Sequence, residues 1–560
     1  MGNLAEERQR LLPPPHGHEK HGEANQRLSS TSSCLSRRRL FSGISGIVLS
    51  LLALGSVIWA SSRSAHWSSK PPGNRDDAHS HFARVQQCAI DNLHADLSFL
   101  DGAVPIAADE FLARRDRLAQ ALVASGADAF VLEPGYTFQY YGNISQVDWE
   151  PWEPEERPFL MLVLPQTDAD TGEVVAKTAF LAPHFEEGRV RMLGIPSREE
   201  ELDIVIWEEH WDPYAILRES RLFGSGSKEE SEAGEKRPPK LVIDEEMRDF
   251  IARGLAGAGF ETVGLTPEVE LVRQIKSPAE VELLRAVNTG TVVAVRAMRP
   301  CLTPGLTEDE VRDILDAALL SVGFQLFFNI VLFEEHGALP HGGFVTGGKR
   351  LTEESMVVID VGAHYLGYSS DICRSFFIDP PKSHGHGHGH GHGHGHCHWK
   401  PGFLHSWLEA AGFQHHDHHH HDDHHRHQLP GPEQSELHSE KLKVWDIVLD
   451  AQTAAAAAFR PNGTAAGVDI AARTIIEDAG YGYGFTHRLG HGIGIKAHES
   501  PYLNKWNTKV VLQPGMTFTN EPGIYLEGKF GVRHEDIYLV KEDGEAELLT
   551  GQRAVGPYNP

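Results

Sequence analysis

Two aspartates stand eleven residues apart in Met356–Arg374, MVVIDVGAHYLGYSSDICR, and their spacing is the first sign of chemistry in this chain. MVVID reads as an apolar strand ending in Asp360; a loop with Gly362 and Gly367 turns the chain; SSDICRSFFI returns as a strand carrying Asp371. Such a hairpin aims both carboxylates at one spot, where like-charge repulsion is costly unless a cation lies between them. Two acids alone would equally suit a pair on the surface, but the chain supplies more. HRLGHGIGIKAH carries His487, His491 and His498, TNEPGIY carries Glu521, and GVRHED carries Glu535. Glu521 follows the strand-like MTFTN and Glu535 precedes the strand-like DIYLV, so both fall where sheet ends meet a cleft. Asp, Asp, His, Glu, Glu is a hard, oxygen-rich set suited to two divalent ions such as Mn²⁺, Co²⁺ or Zn²⁺, roughly 3–4 Å apart.

The elements that must position these residues are also legible. LVRQIKSPAEVELLR, from Leu271, opens this half with Ser277 as a helix N-cap and Pro278 in the first turn. Thr307 caps a second helix, TEDEVRDILDAALLSVG, and FFNIVLFEEHGALPHGG then brings His341, 19 residues before Asp360. EQSELHSEKLKVWDIVLDAQTAAAAAF and GVDIAARTIIEDAG have helical periodicity, the second ended by Gly480. His487 and His491 are four apart, but Gly490, Gly492 and Gly494 point to close backbone approach rather than to a shared helix face.

IDVGAHYLGYSSDICRSF, HRLGHGIGIKAHE, TNEPGIY and GVRHEDI together resemble the pita-bread metallopeptidases, the family of aminopeptidase P, prolidase and methionine aminopeptidase, over about Leu271 to Val540. The resemblance implies that Asp360, Asp371, His491, Glu521 and Glu535 are the metal ligands, with Asp371 and Glu535 bridging two ions, Mn²⁺ foremost. It further implies that Glu521 takes the proton of the attacking water and that His498 and His341 bind the scissile carbonyl. His487 would line the pocket beyond that bond, and Arg533 would steady the Glu535 carboxylate. The activity implied is hydrolysis of the bond between an N-terminal residue and proline. A prolidase restricted to Xaa-Pro dipeptides and a catalytically silent binding protein are the alternatives, and the intact ligands argue against the silent one.

At 560 residues the chain exceeds one core, and about 150 residues per domain allows two or three. Between Arg84 and Leu265 helix and strand alternate (FLARRDRLAQALVASG, ADAFVLEP, FLMLVLP, KTAFLAP, KLVID), which predicts an α/β domain. With FQYYGNIS, this region resembles the creatinase-like domain that precedes the catalytic half in aminopeptidase P and prolidase. The expected fold is therefore an α/β creatinase-like domain over 85–268 and an α+β pita-bread domain over 269–555. A net charge of −27 argues against nucleic acid as a partner. Five cysteines provide no disulfide framework, although one bridge remains open, and packing is the expected role of Cys301 and Cys373.

Leu40–Ala60 is 21 uncharged residues, enough for a helix to cross ~30 Å of hydrocarbon. Arg37, Arg38 and Arg39 before it set a cytosolic tail over 1–39, a type II anchor over 40–60 and a flexible stem over 61–84. A cleaved signal peptide is the competing reading. Catalysis then falls on the lumenal or external side, where the sequons at Asn143 and Asn462 fit glycosylation. In the tail, Glu7-Arg8-Gln9-Arg10-Leu11-Leu12 resembles a dileucine signal read by sorting adaptors, which implies a vacuole or lysosome. A homodimer is a further candidate assembly. Residues 381–432 form a His-rich insert, with 18 histidines in 384–427, expected to be a disordered loop. Weak metal chelation and acid sensing are its functional alternatives.

Overall fold

The computed structural model describes residues 75–145, 148, 156–223, 237–378 and 436–560. The expected tail, anchor and His-rich insert lie outside them, as do stem residues 61–74. Among the described residues no helix is long and apolar enough to cross a membrane.

Alternation of helix and strand does build a mixed sheet in the first half. Its elements are α1 (Arg75–Leu93), α2 (Ala108–Ser125), β1 (Ala129–Leu132), α3 (Tyr136–Gly142), β2 (Leu160–Thr167), β3 (Val174–Pro183), α4 (Glu187–Met192), β4 (Asp203–Trp207), α5 (Pro213–Glu219), β5 (Lys240–Ile243), α6 (Asp249–Gly257), β6 (Glu261–Val263) and α7 (Pro267–Gln274). Strand order is β4-β3-β2-β1-β5-β6. β1, β5 and β6 run parallel, so their carboxyl ends share one edge of the sheet, where Glu133 and Asp244–Glu246 follow. The short strands β4 and β6 escape sequence reading, and FQYYG is helical, within α3.

The second half holds α8 (Pro278–Met298), α9 (Glu308–Ser321), β7 (Gln325–Phe333), β8 (Val357–Tyr365), β9 (Tyr368–Ser369), β10 (Ile372–Phe376), α10 (Glu436–Ala458), α11 (Ala465–Asp478), β11 (Gly490–Gly492), β12 (Glu499–Leu503), β13 (Thr517–Asn520), β14 (Gly523–Leu526), β15 (Phe530–Arg533), β16 (Asp536–Val540) and β17 (Ala546–Leu548). Ser277 and Thr307 cap α8 and α9 as expected, each in a reciprocal box with the glutamate three residues on. One core joins α8 and α9 to the sheet β10-β8-β7; another joins α10 and α11 to β12-β11-β13-β16-β17. Two helix pairs thus pack on two sheets, and the predicted ligands lie on or beside strands of both: Asp360 and Asp371 on the first, His491, Glu521 and Glu535 on the second.

The stem prediction needs correcting. Residues 75–93 are helical, and Val85, Ala89 and Leu93, with Phe82, pack into the core of α8 and α9. The spacing of those apolar residues is a helical stripe hidden by flanking polar residues. The helix therefore belongs with the catalytic half, and the N-terminal sheet domain begins at α2. Cys301, expected as packing, is bridged to Cys88 across a sequence separation of 213 residues, while Cys373 is free and buried. Cys88→Ser is expected to cost about 2–5 kcal/mol by freeing that long loop in the unfolded chain. The measurement is the urea midpoint, with reduced wild type matching the variant; an unmoved midpoint would show that α1 needs no staple.

Candidate metal centre

The predicted hairpin forms, with a tighter turn at the expected Gly367. β8 and β10 pair antiparallel, Asp360 opposite Cys373. Tyr365 pairs with Tyr368, so the turn is Leu366–Gly367, whose φ angles of 49° and 89° are the left-handed pair a two-residue hairpin needs. Gly362 does not turn the chain. It lies inside β8, where a Cβ would sit 2.4 Å from the Phe328 ring and 2.7 Å from the Ser370 carbonyl oxygen.

Backbone amides pin three of the acids and His491 to neighbouring elements. The Glu535 amide donates to the Cys373 carbonyl at 3.0 Å, and the Glu521 amide donates to the Leu489 carbonyl at 2.9 Å, two residues before His491. The Asp371 amide donates to Asn288 Oδ1 on α8 at 3.2 Å, and the His491 amide donates to Thr519 Oγ1 at 3.0 Å. The close approach read from the glycines is real: a Cβ on Gly490 would meet the Thr519 carbonyl oxygen at 2.3 Å, and one on Gly492 the Ser500 carbonyl oxygen at 2.7 Å.

Ligand atoms of Asp360, Asp371 and Glu535 lie within 4.8 Å of one another, as do those of His491, Glu521 and Glu535 and those of Asp371, His491 and His498. The chemistry of this donor set asks for cations. Among the described residues, Asp360 Oδ1 and Glu535 Oε1 are buried with no hydrogen-bond partner. His491 Nδ1 faces the Gly492 carbonyl at 3.0 Å, and its Nε2 faces Glu521 Oε1 at 3.3 Å and Asp371 Oδ2 at 3.5 Å. Acceptors facing acceptors in a buried site repel unless a positive ion lies among them. Burial, then mutual repulsion with Asp360 and Glu521, pushes the Asp371 carboxyl far above its ordinary range; burial and the Asp371 charge do the same to Glu535. Burial also raises Asp360, against the pull of Arg533. Burial works against Glu521 too, yet the hydrogen bond and charge of His491 carry it below its ordinary range.

The profile described as metallopeptidase family M24 matches residues 282–388 and 411–542. An uncharacterized peptidase of Schizosaccharomyces pombe is 34% identical over 480 residues, 85% of this chain and 89% of that protein. The chain belongs to metallopeptidase family M24. An Xaa-Pro dipeptidase of Pyrococcus furiosus is 30% identical over 284 residues, 50% of this chain and 65% of that protein. The crystal structure of dipeptidase PepE from Mycobacterium ulcerans superposes with a TM-score of 0.59 at 26% identity, covering 80% of this chain and 98% of that one.

Around the M24 cluster the other predicted residues take definite places. His498 Nε2 is 3.4 Å from Asp371 Oδ2, and its ring meets His491 edge-on at 4.4 Å. Burial and the neighbouring His491 lower its pKa to about 4, so it is neutral at ordinary pH. His341 stands exposed on the loop after β7, near enough to Asp360 to favour its ionised form. His487 is half-buried, with burial lowering its pKa. Its Nδ1 faces the Arg488 carbonyl at 2.6 Å and its Nε2 faces the Tyr525 hydroxyl at 2.9 Å.

Arg533 does not hold Glu535. Its Nη2 pairs with Asp360 Oδ2, its Nη1 donates to the Tyr525 hydroxyl at 2.6 Å, and both reach the Pro340 carbonyl at 3.2 Å. Arg533 is the last residue of β15, aimed across at β8, whereas Glu535 follows the bend into β16. Sequence reasoning missed Tyr525, although it stands in the TNEPGIY motif four residues after Glu521. It also missed Thr519, which links the His491 amide to Glu521 Oε1 at 3.4 Å.

Proposed function

We propose that this M24 peptidase hydrolyses the bond between an N-terminal residue and proline, with Asp360, Asp371, His491, Glu521 and Glu535 holding two divalent ions, Mn²⁺ foremost. The single observation that carries the metal assignment is the convergence of three buried carboxylates, those of Asp360, Asp371 and Glu535, two of which hold an oxygen with no hydrogen-bond partner among the described residues. When bound, the ions supply a water of near-neutral pKa and positive charge beside the scissile carbonyl. Glu521, whose pKa is held low, would receive the proton of that water. Neutral His498 offers a single N–H to the carbonyl oxygen as charge develops there, and His341 stands at the mouth of the site to do the same. Arg533 donates to Tyr525, so the phenol proton is free for His487 Nε2, and this chain walls the side beyond the bond.

Cleavage of longer peptides is favoured by the open approach: the His498 side chain is 53% exposed and the His341 loop faces solvent. A second reading, restriction to dipeptides, is favoured by the names of the Pyrococcus and Mycobacterium relatives. The test offers purified protein with Mn²⁺ an Xaa-Pro dipeptide, a longer peptide led by Xaa-Pro and the same peptide with alanine for proline. The expected result is release of the first residue from both proline substrates and not from the alanine control. Dipeptide cleavage alone would establish the second reading, and inertness toward both proline substrates would remove the Xaa-Pro assignment. We further propose a lumenal or external catalytic half, supported by the Cys88–Cys301 bridge, since such bonds persist in oxidising compartments.

A further inference from the structure

His498 sits on a short connection between β11 and β12, and that connection is held from outside the catalytic half. Lys496, two residues earlier, is buried and pairs with Glu245 Oε1 and, at 3.1 Å, with Glu246 Oε1, both just past the carboxyl end of β5 in the N-terminal domain. Glu499, one residue later and equally buried, pairs with Lys276 and, at 3.4 Å, with Arg273 Nε in the link between the domains. Arg273 closes the circuit, its Nη2 donating to Glu245 at 2.9 Å and its Nη1 to Thr137 Oγ1 at 2.8 Å. Between the two clamps the chain rests on β9, with the Ser369 amide on the Gly494 carbonyl at 3.0 Å and Ser369 Oγ on the Ile495 carbonyl at 2.8 Å. Gly494 allows this packing, because a Cβ there would lie 2.8 Å from both Glu499 Oε1 and Lys276 Cε.

Buried ion pairs add little net stability against apolar packing of the same size; fixing a geometry is their best-attested use. Here three cations and three anions surround the one connection that carries His498, while His498 itself turns the other way, to Asp371. We propose that Lys496 and Glu499 are positioning residues for His498, and that the N-terminal domain takes part in catalysis by gripping Lys496 through Glu245. The proposal rests on the reading of His498 as the donor to the scissile carbonyl. A donor needed only as charge develops acts on kcat rather than on KM, and a misplacement of about 1 Å can cost up to a hundredfold.

Glu245 is the safest place to cut the circuit, being 40% exposed. In the full chain with Mn²⁺, Glu245→Gln is expected to lower kcat about tenfold with KM within twofold and metal content unchanged, and Lys496→Met to match it. Lys496→Arg should recover most of the loss. The deciding measurement is a double-mutant cycle: in a His498→Ala background Glu245→Gln should have no further effect. If its tenfold loss persists there, if Glu245→Gln leaves kcat intact while lowering Tm, or if metal content falls, the positioning role is overturned. If His498→Ala alone leaves kcat unchanged, it is the reading of His498 that fails, and the two failures are told apart within one set of variants.

Discussion

Asp371→Asn is expected to lower kcat by on the order of a thousandfold and to empty the site of metal, while leaving the metal-free protein no less stable than wild type. The two halves of this result share one cause. In the metal-free native state Asp371 is buried beside Asp360 and Glu535, and burial followed by the charges of Asp360 and Glu521 raises its pKa far above the ordinary value of 3.8. An acid whose folded pKa is raised favours the fold below its unfolded pKa, and that contribution is lost as pH climbs toward the folded value. Asp360, Asp371 and Glu535 all carry this sign, and Glu521 alone carries the other. With chelator present, wild type should therefore melt earlier as pH rises from mildly acidic to mildly alkaline, and the asparagine should flatten the slope. Metal at a hundred times its Kd should add about 2.7 kcal/mol to wild type and nothing to the variant. Two ions still found in the purified variant by elemental analysis would sink the assignment.

How much of this was legible beforehand depends on how far each residue's partners lie along the chain. The hairpin carrying Asp360 and Asp371 is local, and alternation with a Gly turn was enough to find it. The turn falls at Gly367 within the expected loop, but the loop was drawn too long, because Gly362 serves a close approach by Phe328 from β7, a contact between strands. The candidate ligands were named from residue order, type and the family resemblance, and the fold brings all five together. Arg533 was assigned to Glu535, its neighbour in sequence, because nothing in GVRHED tells that β15 ends facing β8 while Glu535 turns into β16. Helix α1 was hidden for a related reason: its apolar stripe is sparse, and its packing partners α8 and α9 begin about 200 residues later. The clamp on the His498 connection was beyond sequence reasoning, since its charges come from residues 245, 246, 273, 276, 496 and 499 and each alone reads as surface.

Arg533→Met should be the most damaging change outside the ligands themselves. The guanidinium is buried, and four of its hydrogen bonds tie Asp360, Tyr525 and the Pro340 carbonyl to one group. Methionine fills most of the space but leaves the Asp360 carboxylate buried without its cation, and breaking one side of a buried pair costs about 3–5 kcal/mol. The same loss misorients a ligand, for which an outer partner is typically worth about 10–100-fold in metal affinity. The Pro340 bond is lost with it, so the His341 loop is no longer tied to the site. Arg533→Lys keeps the charge without the planar fork, and should recover part of the metal affinity but not the loop anchor. Calorimetric Mn²⁺ titration and urea melts read both effects. Because Arg533 hydrogen-bonds Asp360 and reaches Glu535 only through space, its substitution should be more strongly non-additive with Asp360→Asn than with Glu535→Gln. Coupling to Glu535 instead, or wild-type Mn²⁺ affinity in Arg533→Met, would return the guanidinium to the role its place in the sequence first suggested.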